Sequence, residues 1–137
     1  MSAENVEFVK GMYAAFARGD VPAVLDGFAD DIEWHEAAGM PYGGVYRGGE
    51  AVLQNVFGPI TTDVDGFAVT PEEFVGSGDT VAAIVRYTGT GKVTGKTVDV
   101  PAVHVWDIHD GKLTRFRQFI DTAKFAEGVP ADVSVAR

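Results

Sequence analysis

The sequence has no cysteine, few basic residues and no long apolar run, and each of these gaps excludes a class of protein. Without cysteine there is no disulfide, no thiolate nucleophile and no cysteine-ligated zinc. There are 11 lysine and arginine residues against 20 aspartate and glutamate residues, and the net charge of −9 disfavours binding to nucleic acid or to an anionic membrane. No apolar stretch approaches the roughly 20 residues of a membrane span, and the polar N-terminus has no apolar leader, so we expect a cytoplasmic protein.

Residues that bind metals or cofactors are also scarce. The three histidines show no His-x-x-x-His spacing. His35 and Glu36 are adjacent on a predicted strand, where neighbouring side chains point to opposite faces. The pairs Gly43-Gly44 and Gly48-Gly49 do not follow the glycine pattern of a dinucleotide site. We therefore expect neither a metal nor a cofactor.

The remaining pattern predicts one α+β domain over residues 1–137, with helices first and antiparallel strands after them. Apolar spacing predicts a first helix that ends near Gly19, Asp20 caps a second helix, and Glu50–Phe57 forms a third that stops at Gly58-Pro59. A strand covers Ile32–Glu36, and four more are predicted at about 64–75, 80–90, 96–108 and 112–121. Pro101 predicts a bulge or a bend in the third of these four. We expect the tail 128–137 to be mobile.

Several short motifs resemble the NTF2-like superfamily, and within it the SnoaL-like branch, which is related to ketosteroid isomerases, limonene-epoxide hydrolases and polyketide cyclases. The motifs are Gly19-Asp20, Phe28-Ala29-Asp30-Asp31, Tyr46-Arg47-Gly48, and Asp110-Gly111-Lys112 leading to Ile120-Asp121. The resemblance covers about residues 4–127. It implies a cone in which a curved, mostly antiparallel sheet wraps the N-terminal helices and leaves an apolar pocket.

The resemblance also implies roles for single residues. Glu36 takes the place of the general base of ketosteroid isomerases, whereas Met12 and Val103 stand where their oxyanion donors would be, so steroid isomerisation is not expected. Asp121 takes the place of a water-activating carboxylate of epoxide hydrolases, Arg86 could be its charge partner, and Trp34 takes the place of a pocket tyrosine.

Each candidate also has a purely structural interpretation. Glu36 shares strand parity with Trp34 and so faces the pocket, or it is a strand-end residue in solvent. Asp121 acts on a substrate, or it only caps the last helix. Strand alternation puts His104 on the face opposite Val103, which would be the dimer face, unless a bulge at Pro101 reverses the parity.

We therefore expect a cofactor-independent acid/base enzyme for a small apolar molecule, of the isomerase, cyclase or epoxide-hydrolase type. Glu36, Asp121 and Arg86 are the expected catalytic residues. The expected substrate-binding residues are Tyr13, Trp34, Tyr42, Tyr46, Val103, His104 and Phe119. The alternatives are a non-catalytic small-molecule-binding protein and an interaction module with a vestigial pocket. A homodimer is expected, through the sheet face that carries His104, Trp106 and Phe116.

Overall fold

The computed structural model describes residues 2–136, so Met1 and Arg137 of the predicted domain lie outside the described residues. It confirms an α+β domain in which helices precede a long meander. The helices are α1 (Ser2–Ala17), α2 (Val21–Asp26), α3 (Gly49–Val52), α4 (Gly58–Asp63), α5 (Thr122–Gly128) and α6 (Val133–Ala136). The strands are β1 (Phe28–Glu36), β2 (Gly44–Arg47), β3 (Val64–Ser77), β4 (Thr80–Gly91), β5 (Thr97–His109) and β6 (Lys112–Ile120).

The six strands form one curved sheet in the order β2-β1-β6-β5-β4-β3. Only the β1–β6 pair is parallel among these neighbours. Burial alternates along β4 from Thr80 to Thr88 and along all of β5, so one face of the sheet, here called the inner face, is covered while the outer face stays partly open. Helix α1 packs against β3 and β4 on the inner face, and α4 packs against β3. The helices and the inner face together enclose the core.

Local sequence explains the helix boundaries. The Asp20 side chain accepts a hydrogen bond from the Ala23 backbone N–H (3.2 Å), which confirms the predicted cap of α2. The predicted stop at Gly58-Pro59 is wrong. After α3 the chain makes a π-helical turn, Leu53–Phe57, and then continues as α4. Pro59 lies in the first turn of α4, directly after the π turn, and the chain stays helical through it.

The predicted bulge at Pro101 is also absent. Pro101 pairs with Arg86 in an unbroken β4–β5 register, and the irregularity of β5 lies instead between Asp107 and Ile108, on the β6 side. The ladder with β6 begins only at Ala102, so Pro101 lies beyond its end, a position that proline tolerates. The parity of β5 therefore stays regular from Thr97 to Asp107.

The chain after Gly128 packs against the domain. Val129 and Val133 are buried, and Val133 begins helix α6. The mobility of the tail stays a prediction. Within residues 2–136, no helix combines the length and the apolar character needed to cross a membrane.

Candidate functional site

A cavity of about 50 Å³ lies between α1, the helical segment 49–63 and the inner face of the sheet. Its walls are almost entirely aromatic and aliphatic, and their polar groups are two tyrosine hydroxyls, two indole N–H groups, one histidine and one carboxyl group. The lining residues are Met12, Tyr13, Phe16, Trp34, Glu36, Val56, Phe57, Ile60, Phe67, Val69, Tyr87, His104, Trp106 and Phe116. A partly open apolar cavity with a few convergent polar groups is the usual form of a small-molecule site.

Glu36 is the carboxyl group of this cavity. Its parity along β1 matches Ile32 and Trp34, both of which are buried, and Glu36 itself is only 5% exposed. The Trp34 indole N–H donates to Glu36 Oε1 at 2.9 Å. Burial raises the pKa of Glu36 to about 7, against the opposing effect of hydrogen bonds from Trp34 and Gln118. Glu36 can therefore accept or release a proton near neutral pH.

Trp34 is held in place by aromatic packing. Its ring stacks on Phe116 at 3.7 Å between centroids and meets Trp106 edge-on at 5.7 Å. These contacts fix the indole that hydrogen-bonds Glu36, so the carboxylate is presented by a rigid wall. The predicted placement of Glu36 and Trp34 side by side is what the structure shows.

His104 faces the cavity, and this corrects the expectation that it belongs to a dimer interface. Alternation does put His104 opposite Val103, but on β5 it is the His104 side that the helices cover. Its ring lies between two hydroxyls, with Tyr13 Oη 2.6 Å from Nδ1 and Tyr87 Oη 2.6 Å from Nε2. Burial lowers the pKa of His104 to about 3, so the imidazole is neutral at physiological pH.

Val103 and Phe119 do not line the cavity. They are register partners on neighbouring strands and lie on the outer face, where Phe119 is 55% exposed. The expected contact of Val103 and Phe119 with substrate is wrong, because the other set of alternating residues on β5 and β6 points inward. Trp106 and Phe116, assigned to the dimer face, are fully buried in the cavity wall for the same reason.

The structure does not bring Asp121 and Arg86 together. The Asp121 carboxylate caps α5 by accepting from the Lys124 N–H at 2.9 Å, and the residue is exposed. Arg86 alternates with buried Tyr87, so it points to the outer face and pairs with Asp99 at 2.7 Å and with Glu72 at 3.6 Å. The expected water-activating pair is therefore not part of this cavity.

The loop tyrosines hold the segment 39–49 rather than line the cavity. Tyr42 is buried, and its hydroxyl donates to Asp63 Oδ2 at 2.7 Å, which ties the loop to the end of α4. The Tyr46 hydroxyl donates to the carbonyl of Tyr42 at 2.7 Å. Both residues thus brace the wall of the domain next to α4.

Among the polar residues of the site, sequence reasoning missed Tyr87 and Gln118. Gln118 accepts from the Ala37 N–H at 3.0 Å and donates through Nε2 to Tyr87 Oη at 2.8 Å. Tyr87 lies on the same face of β4 as Val85, and Gln118 lies on the same face of β6 as Phe116. A polar residue in a row of otherwise apolar, inward-facing residues was the sequence signal that could have identified them as part of the site. Across residues 2–136, no three His, Asp or Glu side chains converge in a way that would hold a metal ion.

A curved six-stranded sheet that wraps N-terminal helices around one cavity defines an NTF2-like domain. The chain belongs to the SnoaL-like domain family, whose profile matches residues 9–116.

The chain is also similar to solved structures and to curated sequences. An NTF2-like protein of Burkholderia thailandensis superposes with a TM-score of 0.87 at 35% identity, over 93% of this chain and 97% of that one. TerC, co-crystallised with polyporic acid, superposes with a TM-score of 0.82 at 30% identity, over 90% of this chain and 96% of that one. An uncharacterised protein of Mycobacterium tuberculosis is 28% identical over 115 residues, which is 84% of this chain and 87% of the relative.

Proposed function

We propose that this protein is a cofactor-independent acid/base enzyme in which Glu36 transfers a proton to or from a small apolar molecule in the cavity. The observation that carries the proposal is a carboxyl group, 5% exposed, in an aromatic cavity, with its pKa raised to about 7. A general base works best when its pKa lies near the working pH, and this one does. The reaction is of the isomerase, cyclase or epoxide-hydrolase type found among the relatives that the sequence resembles.

The size of the cavity limits the substrate. An engineered apolar cavity of about 150 Å³ accommodates benzene, and the present cavity of about 50 Å³ is smaller. A one-ring molecule is larger than this space, so it would extend through the open side of the cavity or displace side chains, and a steroid would require a much larger movement of the walls. That TerC was co-crystallised with polyporic acid supports the use of this fold to hold a small molecule.

A non-catalytic binding protein is the second candidate. It is favoured by the absence of another carboxylate from the cavity-lining residues, since Asp121 and Arg86 lie elsewhere. An interaction module is a weaker alternative, because the cavity is open space rather than filled by side chains.

The pH dependence of turnover separates the first two candidates. A panel of small cyclic ketones, enones and epoxides would be screened with the purified protein. For any accepted substrate, kcat/KM is expected to rise with pH and level off above an apparent pKa of about 7, because Glu36 must be ionised to act as a base. No turnover across the panel, together with measurable binding, would favour the binding protein.

We further propose a homodimer, formed through the outer face of the sheet and not through His104, Trp106 and Phe116. Ile84, Val103 and Phe119 are register partners in a row across β4, β5 and β6 on that face. A row of partly exposed apolar side chains at the centre of a sheet is a typical contact surface.

We expect light scattering at micromolar concentration to give the mass of a dimer. Phe119→Glu should shift the mass to that of a monomer, because it places a charge in the centre of the contact. Lys112→Glu, an exposed change at the start of the same strand, is the control and should leave the dimer intact. A wild-type protein that is monomeric at this concentration would contradict the proposal.

A further inference from the structure

One continuous polar network crosses the apolar cavity wall, and the directions of its two outer hydrogen bonds are fixed. At one end the Trp106 indole, which can only donate, gives its N–H to Tyr13 Oη at 2.9 Å. At the other end the Ala37 N–H fixes the carbonyl side of the Gln118 amide (3.0 Å), so the NH₂ side donates to Tyr87 Oη at 2.8 Å. Each tyrosine oxygen therefore already accepts one hydrogen bond from outside the pair.

The centre of the network is a neutral imidazole with one N–H. His104 is 5% exposed, and its two ring nitrogens lie 2.6 Å from Tyr13 Oη and Tyr87 Oη. A neutral imidazole donates from one nitrogen and accepts at the other, so the two tyrosines must play opposite roles toward it. Burial raises the pKa of both tyrosines, so both hydroxyls keep their protons.

Counting protons leaves one hydroxyl proton unused. If Tyr13 donates to Nδ1, then Nε2–H donates to Tyr87, and the proton of Tyr87 has no place in the network. If Tyr87 donates to Nε2, then Nδ1–H donates to Tyr13, and the proton of Tyr13 is the unused one. In going from one arrangement to the other, one hydroxyl loses a proton to water and the other gains one, so the total charge is unchanged.

We propose that this unused tyrosine proton is the binding site for an oxygen atom of the ligand, and that His104 is a positioning residue whose tautomer decides which tyrosine offers it. Both tyrosines line the cavity, and the proposal places the ligand oxygen within hydrogen-bond reach of their hydroxyls. The ligand class is a small, neutral, apolar molecule with one hydrogen-bond-accepting oxygen, such as a cyclic ketone. The inference rests on the proposed function only in taking this cavity as the ligand site.

The test compares cyclopentanone with methylenecyclopentane, which have nearly the same shape but differ in the acceptor oxygen. Affinities are measured at pH 8.5 by NMR titration of the tryptophan indole signals, since an ionised Glu36 cannot donate to the ketone at that pH. The wild-type protein should prefer the ketone by about threefold to tenfold, the effect of one hydrogen bond. Equal affinities would overturn the proposal.

Tyrosine variants test the exchange between the two donors. Tyr13→Phe and Tyr87→Phe should each keep most of the ketone preference, because the remaining hydroxyl can offer its proton, while the double variant should lose it. Affinity for methylenecyclopentane reports whether the cavity is intact, and Tyr46→Phe, a hydroxyl removed outside the cavity, should change neither value. If Tyr13→Phe alone or Tyr87→Phe alone abolished the ketone preference, the proposal that either tyrosine can donate to the ligand would be disproved.

The tautomer of His104 gives a second readout that a structural role would not produce. With ketone bound, ¹⁵N NMR should show the proton on Nε2 in Tyr13→Phe and on Nδ1 in Tyr87→Phe. The same tautomer in both variants would overturn the proposal even if the double variant failed to fold. Because neither readout involves turnover, a failure here is distinct from a failure of Glu36 as a base. Conversely, a ketone preference without turnover would keep this inference and remove the enzyme.

Discussion

Glu36→Gln is expected to reduce turnover by about 10²–10⁴-fold, the usual range for the loss of a positioned general base, and yet to stabilise the protein at pH 8. Glutamine keeps the shape of the side chain and can still accept from the Trp34 indole, whose hydrogen bond to Oε1 measures 2.9 Å in the native protein. It cannot take a proton from a substrate. Activity and stability should therefore change in opposite directions.

The stabilisation follows from the raised pKa of Glu36. This pKa rises from 4.5 to about 7 on folding, so between these pH values the folded state holds a proton that the unfolded state has lost. The free energy of unfolding therefore falls as pH rises from 4.5 to 7. The loss is about 3 kcal/mol when complete, and a neutral glutamine does not suffer it.

Urea unfolding of both proteins at pH 5 and pH 8 measures this effect. The variant should exceed the wild type at pH 8 and match it more closely at pH 5, where Glu36 is already protonated. Asp31→Asn, on the same strand but exposed, is the matched control and should show no such difference. A variant that is less stable than the wild type at pH 8 would contradict the prediction that burial of the ionised Glu36 carboxylate destabilises the folded state.

The second large effect is expected at low pH, from His104. Its pKa falls from 6.5 to about 3 on folding because burial disfavours the cation. Between these values the unfolded state binds a proton that the folded state does not, so stability falls as pH is lowered from 6.5 to 3. The loss amounts to about 5 kcal/mol, comparable with the total stability of many small domains.

In the wild type, this dependence of the free energy of unfolding on pH is partly cancelled by Glu36. Between pH 4.5 and 6.5 Glu36 and His104 act with opposite signs, so the free energy of unfolding should change little, and the acid loss should appear only below about pH 4.5. In Glu36→Gln the full histidine slope should be exposed from pH 6.5 downward. Adding His104→Gln, which retains one donor and one acceptor, should flatten it.

Chemical unfolding across pH 3.5–8 in these three proteins gives the curves. His109→Gln removes an exposed histidine at the end of β5 and serves as the control, with no change in slope expected. If the acid slope survived in the double variant, the titrating group would be some other residue than His104.

Strand alternation predicted most of the strands of the sheet, but it could not predict which face of the sheet the helices cover. Parity alone put Glu36 beside Trp34 and separated His104 from Val103, because alternate side chains leave a strand on opposite faces. It does not say which face the helices cover. That depends on the packing of α1 against β3 and β4. The expectation that Val103 and Phe119 point inward is therefore wrong, and it is His104 that lies on the covered face.

The rest of the site joins residues that are far apart in the chain. Tyr13 and His104 are 91 positions apart, and Gln118 meets Tyr87 across 31. No local pattern encodes such a pairing. Asp121 shows the opposite case, since its local role as a helix cap was visible in the sequence and is the role that the structure shows.

The π-helical turn at Leu53–Phe57 has a consequence for how this cavity can change in evolution. A π turn is an α-helix with one residue inserted, and it places Val56 and Phe57 in the cavity wall just before Ile60. Deleting one residue there would restore a plain helix while the residues after it, Ile60 included, keep their orientation, because the wider π turn absorbs the extra residue. Losing a single codon would thus remove one side chain from one wall of the binding space, while the sheet that carries Glu36 and His104 keeps its sequence and its register.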